Sequence, residues 1–283
     1  EDINLTHTRA TKKILETSED NPDLAGFNLS CKKYKIKELI SKKYTVIIYS
    51  EHSVGNKKFE RRLEKVITPS TYIDDLPENE TSNILSLFIN DNIYGTLLDL
   101  STAKIQCFLL NEEKLNRIIK IYNPKKIISN KNLLEYNFKI VEFPKEKEKI
   151  SFQEEFLKKI FPSKSQLSTI ERLGLEKYPF LIHSLINVLE YIYSIDQTII
   201  KNLSKPKINT DTSKLYINYR TLSQLNVVNG EKSLYDILNC AETAGGRRAL
   251  KERLINPITN SKVLKRRYRE ISEFPKEISF KGI

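Results

Sequence analysis

Apolar spacing divides the chain into a mixed first half and a helical second half. Lys35 to Lys43 has helical spacing, and Tyr44 to Tyr49 is a short apolar strand. The segment Gly55 to Lys65 leads into Val66-Ile67-Thr68-Pro69, and Pro69, Pro77 and the acidic run Asp74 to Glu80 mark a boundary. A βαβ-like unit follows. Ile93 to Leu100 and Lys104 to Leu110 predict a strand pair about a Ser101-Thr102 turn. Glu112 to Tyr122 predicts a helix through Leu115, Ile118, Ile119 and Tyr122, and Ile127-Ile128 and Phe138 to Phe143 predict short strands. Pro144 and Lys145 to Lys149 form the next linker.

From about residue 151 the spacing becomes helical. Phe180 to Ile195 is apolar on most faces, with one polar stripe of His183, Asn187, Glu190 and Ser194, which predicts a helix buried on most sides. Lys205 to Ser213 reads as a polar loop, and Tyr216 to Val228 as a short strand followed by a helix. Ser233, with Asp236 three residues on, caps a helix. Asn260 or Ser261 caps a last helix whose apolar face is Leu264, Tyr268 and Ile271.

Composition narrows the class. The chain has 283 residues, enough for two domains or parts of three, and 39% hydrophobic with 29% charged residues describes a soluble globular protein. No apolar run reaches the roughly 18 residues needed to cross a bilayer, so no membrane partner is expected. The chain starts at Glu1 and contains no Met, which points to an interior slice of a longer protein. Cys31, Cys107 and Cys240 are far apart and form no CxxC, which fits a reduced, intracellular setting of unassigned compartment. The net charge of +11 favours a polyanionic partner held by phosphate neutralisation.

The most specific pattern is Thr243, Gly246, Arg248, Leu250, Leu254 and Pro257, which reproduces T-x-x-G-x-R-x-L-x-x-x-L-x-x-P. Glu60-Arg61-Arg62-Leu63-Glu64-Lys65-Val66-Ile67-Thr68-Pro69-Ser70-Thr71 matches E-R-x-x-x-R-x-V-T-P-G-T, with Ser70 in place of Gly. Tyr94 to Thr102 matches the opening strands of a connector domain, and Leu24-Ala25-Gly26-Phe27 matches an AGxP loop in which Asn28 replaces Pro. In these segments the chain resembles the MutS mismatch-repair family. Arg253 at a position where many members carry Trp, and Asn256-Pro257-Ile258-Thr259, are similar to the divergent lineage of giant viruses and octocoral mitochondria.

The resemblance implies a multidomain chain, α/β plus all-α. Residues 1–72 would be the C-terminal part of a mismatch-recognition α/β domain, 80–146 an RNase-H-like connector domain, and 150–283 the start of a helical core (lever) domain. It further implies a parent that binds mismatched double-stranded DNA as a dimer, with a MutL-type partner, and acts as a DNA-dependent ATPase using ATP and Mg²⁺. No G-x-x-x-x-G-K-[ST] is present, so this segment is expected to hold no nucleotide and no catalytic site. The family's Phe-x-Glu wedge is expected upstream of Glu1.

Arg61, Arg62 and Lys65, with Lys57 and Lys58 nearby, are the candidates for contacting DNA phosphates. Thr243, Gly246, Arg248, Leu250, Leu254 and Pro257 are expected to form core scaffold, with Leu250 and Leu254 facing inward and Arg247 outward. Two alternatives compete: a non-enzymatic interaction module without mismatch recognition, and an RNase-H-like nuclease centred on Asp99. The second needs several carboxylates around metal ions, and no companion for Asp99 is evident.

Overall fold

The computed structural model describes residues 6–9, 23–53, 59–72, 81–132, 139–209, 214–228, 230 and 232–273. The chain mixes helices with mixed sheets and separates into two compact units: Glu1–Asp75 with Leu189–Asn202, and Leu76–Val188 with Leu203–Ile283.

In the first unit, strands β1 (Thr6–Arg9) and β2 (Asp23–Gly26) pair antiparallel. Asn28 accepts from the Ser30 amide and starts a 3-10 turn, Leu29–Cys31, that continues into helix α1 (Lys32–Ser41). Ile36 and Ile40, one turn apart, point from α1 onto Ile67, Tyr72, Val46 and Ile48. Strands β3 (Val46–Ser53) and β4 (Phe59–Ile67) form an antiparallel pair whose register shifts between Ile48 and Tyr49. The turn after β4 is knit by hydroxyls: the Thr68 amide donates to Thr71 Oγ1 at 3.0 Å, and the Thr68 and Ser70 hydroxyls lie 2.9 Å apart. Ser70 needs no glycine-like backbone, because its φ is not positive, and its hydroxyl lies 3.1 Å from the Tyr191 hydroxyl.

The second unit is built on a six-stranded sheet. Its strands are β5 (Asn83–Ile89), β6 (Ile93–Asp99), β7 (Lys104–Leu110), β8 (Lys126–Ser129), β9 (Lys139–Ile140) and β10 (Lys207–Asn209). The order is β10-β7-β6-β5-β8-β9. β5, β6 and β7 form an antiparallel meander, while β8, β9 and β10 join in parallel. Between β7 and β8 runs helix α2 (Glu112–Tyr122), capped by Asn111 and closed by Asn123 in the left-handed region. The strand pair and the helix lie where the spacing predicts them. β5 and β10 do not: β5 is an inner strand, and β10 occupies part of the expected polar loop.

β5 lies inside the sheet because both of its faces are mostly apolar and both are covered. Leu85 and Leu87 pack with Ile93, Leu97 and Leu110 under Leu115 and Ile118 of α2. Gly95 sits in this layer because a Cβ there would lie 2.7 Å from a Leu110 methyl. On the opposite face, Ser86, Thr96 and Cys107 stand in register across three strands.

Beneath that face lies α6 (Pro179–Ile195), which follows α3 (Lys145–Glu148), α4 (Ile150–Ile160) and α5 (Thr169–Arg172) and precedes the short α7 (Gln197–Ile200). The Ser184 and Thr96 hydroxyls meet at 2.7 Å. His183 packs between Phe88 and Phe143, with ring centroids at 4.6 and 4.4 Å. Its Nδ1, both amide atoms of Asn187 and the Ser86 hydroxyl are buried without a hydrogen-bond partner among the described residues. The polar stripe read from the sequence is thus a buried seam at His183 and Asn187.

Helices α8 (Tyr219–Gln224), α9 (Leu234–Leu238), α10 (Ala244–Ile255) and α11 (Ser261–Ser272) complete the unit. Leu222, Val227 and Ile255 form their core, with Ile121, Ile217, Val228 and Leu254 packed against it. Ser233 and Asp236 make the expected capping box, and Asn260 caps α11, whose Tyr268 and Ile271 are exposed. Thr243 caps α10 by accepting from the Gly246 amide at 3.1 Å. A Cβ on Gly246 would sit 3.1 Å from Ala241 Cβ and 3.2 Å from Thr243 Oγ1, whereas one on Gly245 meets nothing within 4 Å.

Three outcomes are expected. Burial pushes the Cys107 thiol up to about 12, while Cys31 and Cys240 are exposed. A chromogenic thiol reagent should therefore react quickly with Cys31 and Cys240 and reach Cys107 only on unfolding. Burial, opposed by the charge of Glu148, holds His183 below its ordinary 6.5. The unfolded chain then binds more protons at low pH, so this contribution is present above 6.5 and is lost as pH falls below it. Urea melts of His183→Phe should show a shallower loss of stability than the unmodified chain between about pH 7 and 5. Finally, Gly245→Ala should stabilise α10 by up to about 1 kcal/mol, while Gly246→Ala should be neutral or destabilising. Equal gains at both glycines would contradict the crowding at Gly246.

Candidate nucleic-acid interface

Arg61, Arg62 and Lys65 all lie on β4, and all three are exposed. Lys57 and Lys58 lie outside the described residues. Successive side chains of a strand point to opposite faces, so Arg61 and Arg62 diverge. Arg61 stands opposite Glu51 and pairs with it at 3.3 Å, while Arg62 pairs with Glu60 at 2.8 Å. Exposed pairs of this kind contribute little to stability and can be exchanged for phosphate. Lys65 stands opposite Ile48, just before the register shift, and has no carboxylate within 4 Å among the described residues. The side of β4 that carries Arg61 also exposes Phe59 and Leu63, beside Ile47 and Tyr49 of β3.

The scaffold residues lie on and around α10. Thr243 and Gly246 form its N-terminal cap. Arg248 is half-buried, with its Nε lacking a hydrogen-bond partner. Leu250 is half-buried, Leu254 packs on the helical core, and the neighbouring Ile255, not singled out in the sequence, is the fully buried member. Pro257 ends the helix, and its carbonyl accepts from the Leu215 amide at 2.8 Å. Arg247 is not the idle outer residue that its spacing suggests: its guanidinium donates to the carbonyls of Ala241 and Glu242.

The group that organises this region is Arg117 of α2, only 8% exposed. Its Nε donates to the Ile217 carbonyl at 2.6 Å, and one Nη donates to the Ile255 carbonyl at 3.0 Å and to Asn256 Oδ1 at 2.9 Å. The Tyr216 ring lies 5.3 Å from the guanidinium. Tyr122 and Asn256 both donate to Glu252, and burial followed by the Glu252 charge raises the Tyr122 phenol above its ordinary value. Arg117 was passed over because it interrupts the apolar pattern. The signal that could have found it is Ile121, one turn on and outside the main stripe, which marks a second buried face.

Asp99 accepts from the amide and hydroxyl of Ser101 and from the Thr102 hydroxyl, which makes it a turn cap. No group of three His, Cys, Asp or Glu among the described residues could hold a metal ion. Nor is the Gly245-Gly246 pair a phosphate cradle, since the Gly246 amide is bonded to Thr243 and no Lys follows. Phe152-Gln153-Glu154 reproduces the bare Phe-x-Glu spacing, but Gln153 is buried and the Glu154 carboxylate is bonded to the amides of Thr169 and Ile170. No helix among the described residues is long and apolar enough to cross a membrane.

No family model matches the chain. Curated relatives do. A DNA mismatch repair protein mutS homolog of Acanthamoeba polyphaga mimivirus is 26% identical over 342 residues, covering 97% of this chain and 30% of the relative. DNA mismatch repair protein MutS of Borreliella burgdorferi is 27% identical over 292 residues, covering 93% and 33%. That of Caldanaerobacter subterraneus subsp. tengcongensis is 24% identical over 280 residues, covering 90% and 32%. The chain thus spans about a third of the length of the curated relatives it matches. The Thr243-to-Pro257 pattern and alignments running nearly end to end make the chain similar to MutS proteins and support a divergent member of that family.

Proposed function

We propose that the chain is a stretch of a DNA mismatch-repair protein that binds mismatched double-stranded DNA and couples ATP binding and hydrolysis, at a site outside these residues, to repair. Residues 1–72 are read as the end of the mismatch-recognition domain, 80–146 as an RNase-H-like connector, and 150–283 as the start of the helical core. The observation that carries the reading is the near end-to-end alignment with proteins named for mismatch repair. Two features support the finer parts. A three-stranded antiparallel meander followed by parallel strands, in the order β7-β6-β5-β8-β9, is the arrangement expected of an RNase-H-like connector. Thr243, Gly246 and Pro257 hold structural positions at the cap, the crowded first turn and the stop of α10, as expected of a scaffold motif.

In this reading the duplex is held through its phosphates, with Arg61, Arg62 and Lys65 as positioning contacts. A mismatch is distinguished by the lower energy needed to kink it. ATP and Mg²⁺ belong to the whole protein, which works as a dimer with a MutL-type partner. Arg117 supplies a stiff link between the connector sheet and the helical core, the kind of element through which nucleotide state and DNA contact could be coupled.

The phosphate assignment predicts a salt signature. Replacing Arg61, Arg62 and Lys65 together by Ala should weaken duplex binding and flatten the plot of log affinity against log salt by about 0.9 per lost contact. Fluorescence anisotropy of a labelled duplex across a salt series measures both quantities. An unchanged slope would remove the hairpin from the DNA-binding surface.

A further inference from the structure

Arg117 lines a cavity of about 180 Å³ whose walls include Phe108, Leu110, Ile118, Tyr122 and Leu215. That is far more than the roughly 10–15 Å³ a single water requires. The charge facing it is unusual. The three hydrogen bonds of Arg117 go to neutral acceptors, two backbone carbonyls and one amide oxygen. They use Nε and one Nη, and the other Nη makes no hydrogen bond among the described residues. No described carboxylate lies within 4 Å of the guanidinium. The nearby acids are engaged elsewhere: Glu252 by Tyr122 and Asn256, and Glu113 by Tyr216. Lys114 adds a second cation to the lining.

A buried cation with no ionic partner among the described residues is costly, and the remaining Nη can still donate a charge-assisted hydrogen bond to an anionic oxygen. We infer that this cavity takes a small carboxylate carried on a short apolar body, one oxygen accepting from the free Nη of Arg117 and its chain against Phe108, Leu110 and Leu215. A second cavity touching Arg117, of about 320 Å³, is the poorer choice because Glu113 lines it beside Lys120 and Arg220. The inference rests on this cavity alone and stands apart from the mismatch-repair reading.

The test uses the whole chain and hexanoate as the probe, followed by titration calorimetry. Hexanoate should bind at a single saturable site. Hexanol, which lacks the charge, and inorganic phosphate, which lacks the apolar body, should each bind roughly tenfold more weakly or worse. Leu215→Trp, at a half-exposed position on the cavity wall, should abolish binding while leaving Arg117 and its hydrogen bonds in place. Arg117→Gln should also abolish it, and if that variant fails to fold, the Trp variant and the hexanol comparison decide. Absence of hexanoate binding, equal binding of hexanol, tighter binding of phosphate, or undiminished binding to Leu215→Trp would each overturn the assignment.

Discussion

A guanidinium withdrawn from water must find acceptors, and the acceptors that Arg117 finds belong to two other stretches of the chain, at Ile217 and at Ile255-Asn256. The Ile255 carbonyl lies in the last turn of α10, where Pro257 ends the helix and carbonyls lose their intrahelical donors. A cation at that end also meets the negative pole of the helix. Asn256, the C-cap residue, is held on one side by Arg117 and on the other by Tyr122 and Glu252. The Ile217 carbonyl fixes the segment that enters α8. One side chain thereby sets the rotation of α2, the end of α10 and the path before α8. Each bond to a charged donor contributes on the order of 1.5–3 kcal/mol, and their common donor makes them cooperative rather than additive.

The hairpin of β3 and β4 follows a different logic. Its two arginines are balanced by neighbouring acids at the surface, where screening is strong, so little folding energy depends on them. That independence suits a surface whose ion pairs can be exchanged for phosphates. Alternation along β4 also means that Arg61 and Arg62 cannot serve the same phosphate track from one face. A duplex lying along the hairpin edge could reach both, whereas one lying flat on either face reaches only one of them.

Legibility in the sequence tracked how locally each element is specified. α2 could be read to its ends because Asn111 caps it, its apolar stripe is regular and Asn123 closes it. The β6–β7 pair was legible because a tight turn separates two runs of clear strand character. β5 was not read, since Asn-Ile-Leu-Ser-Leu-Phe-Ile has no alternation and its strand identity comes from neighbours on both sides. β10 was read as loop because Lys207-Ile208-Asn209 has little intrinsic strand preference and exists by pairing with β7, about a hundred residues earlier. The motif around Thr243 was recognisable as a pattern, but its meaning is geometric and needed the Ala241 and Thr243 atoms that crowd Gly246. Arg117 was invisible for the same reason: its partners are distant carbonyls, and carbonyls carry no sequence signature.

The row of Ser86, Thr96 and Cys107 bears on how the sheet selects its own alignment. An all-aliphatic face would tolerate strands sliding by two residues, because each new neighbour would be as greasy as the last. With one polar side chain per strand, and Thr96 meeting both Cys107 and Ser184, only one alignment brings those two groups onto the Thr96 hydroxyl. A slide of β6 would carry the Thr96 hydroxyl away from Ser184. The seam therefore acts as a vernier: it adds little to the depth of the native well while narrowing the set of pairings in which the meander can come to rest.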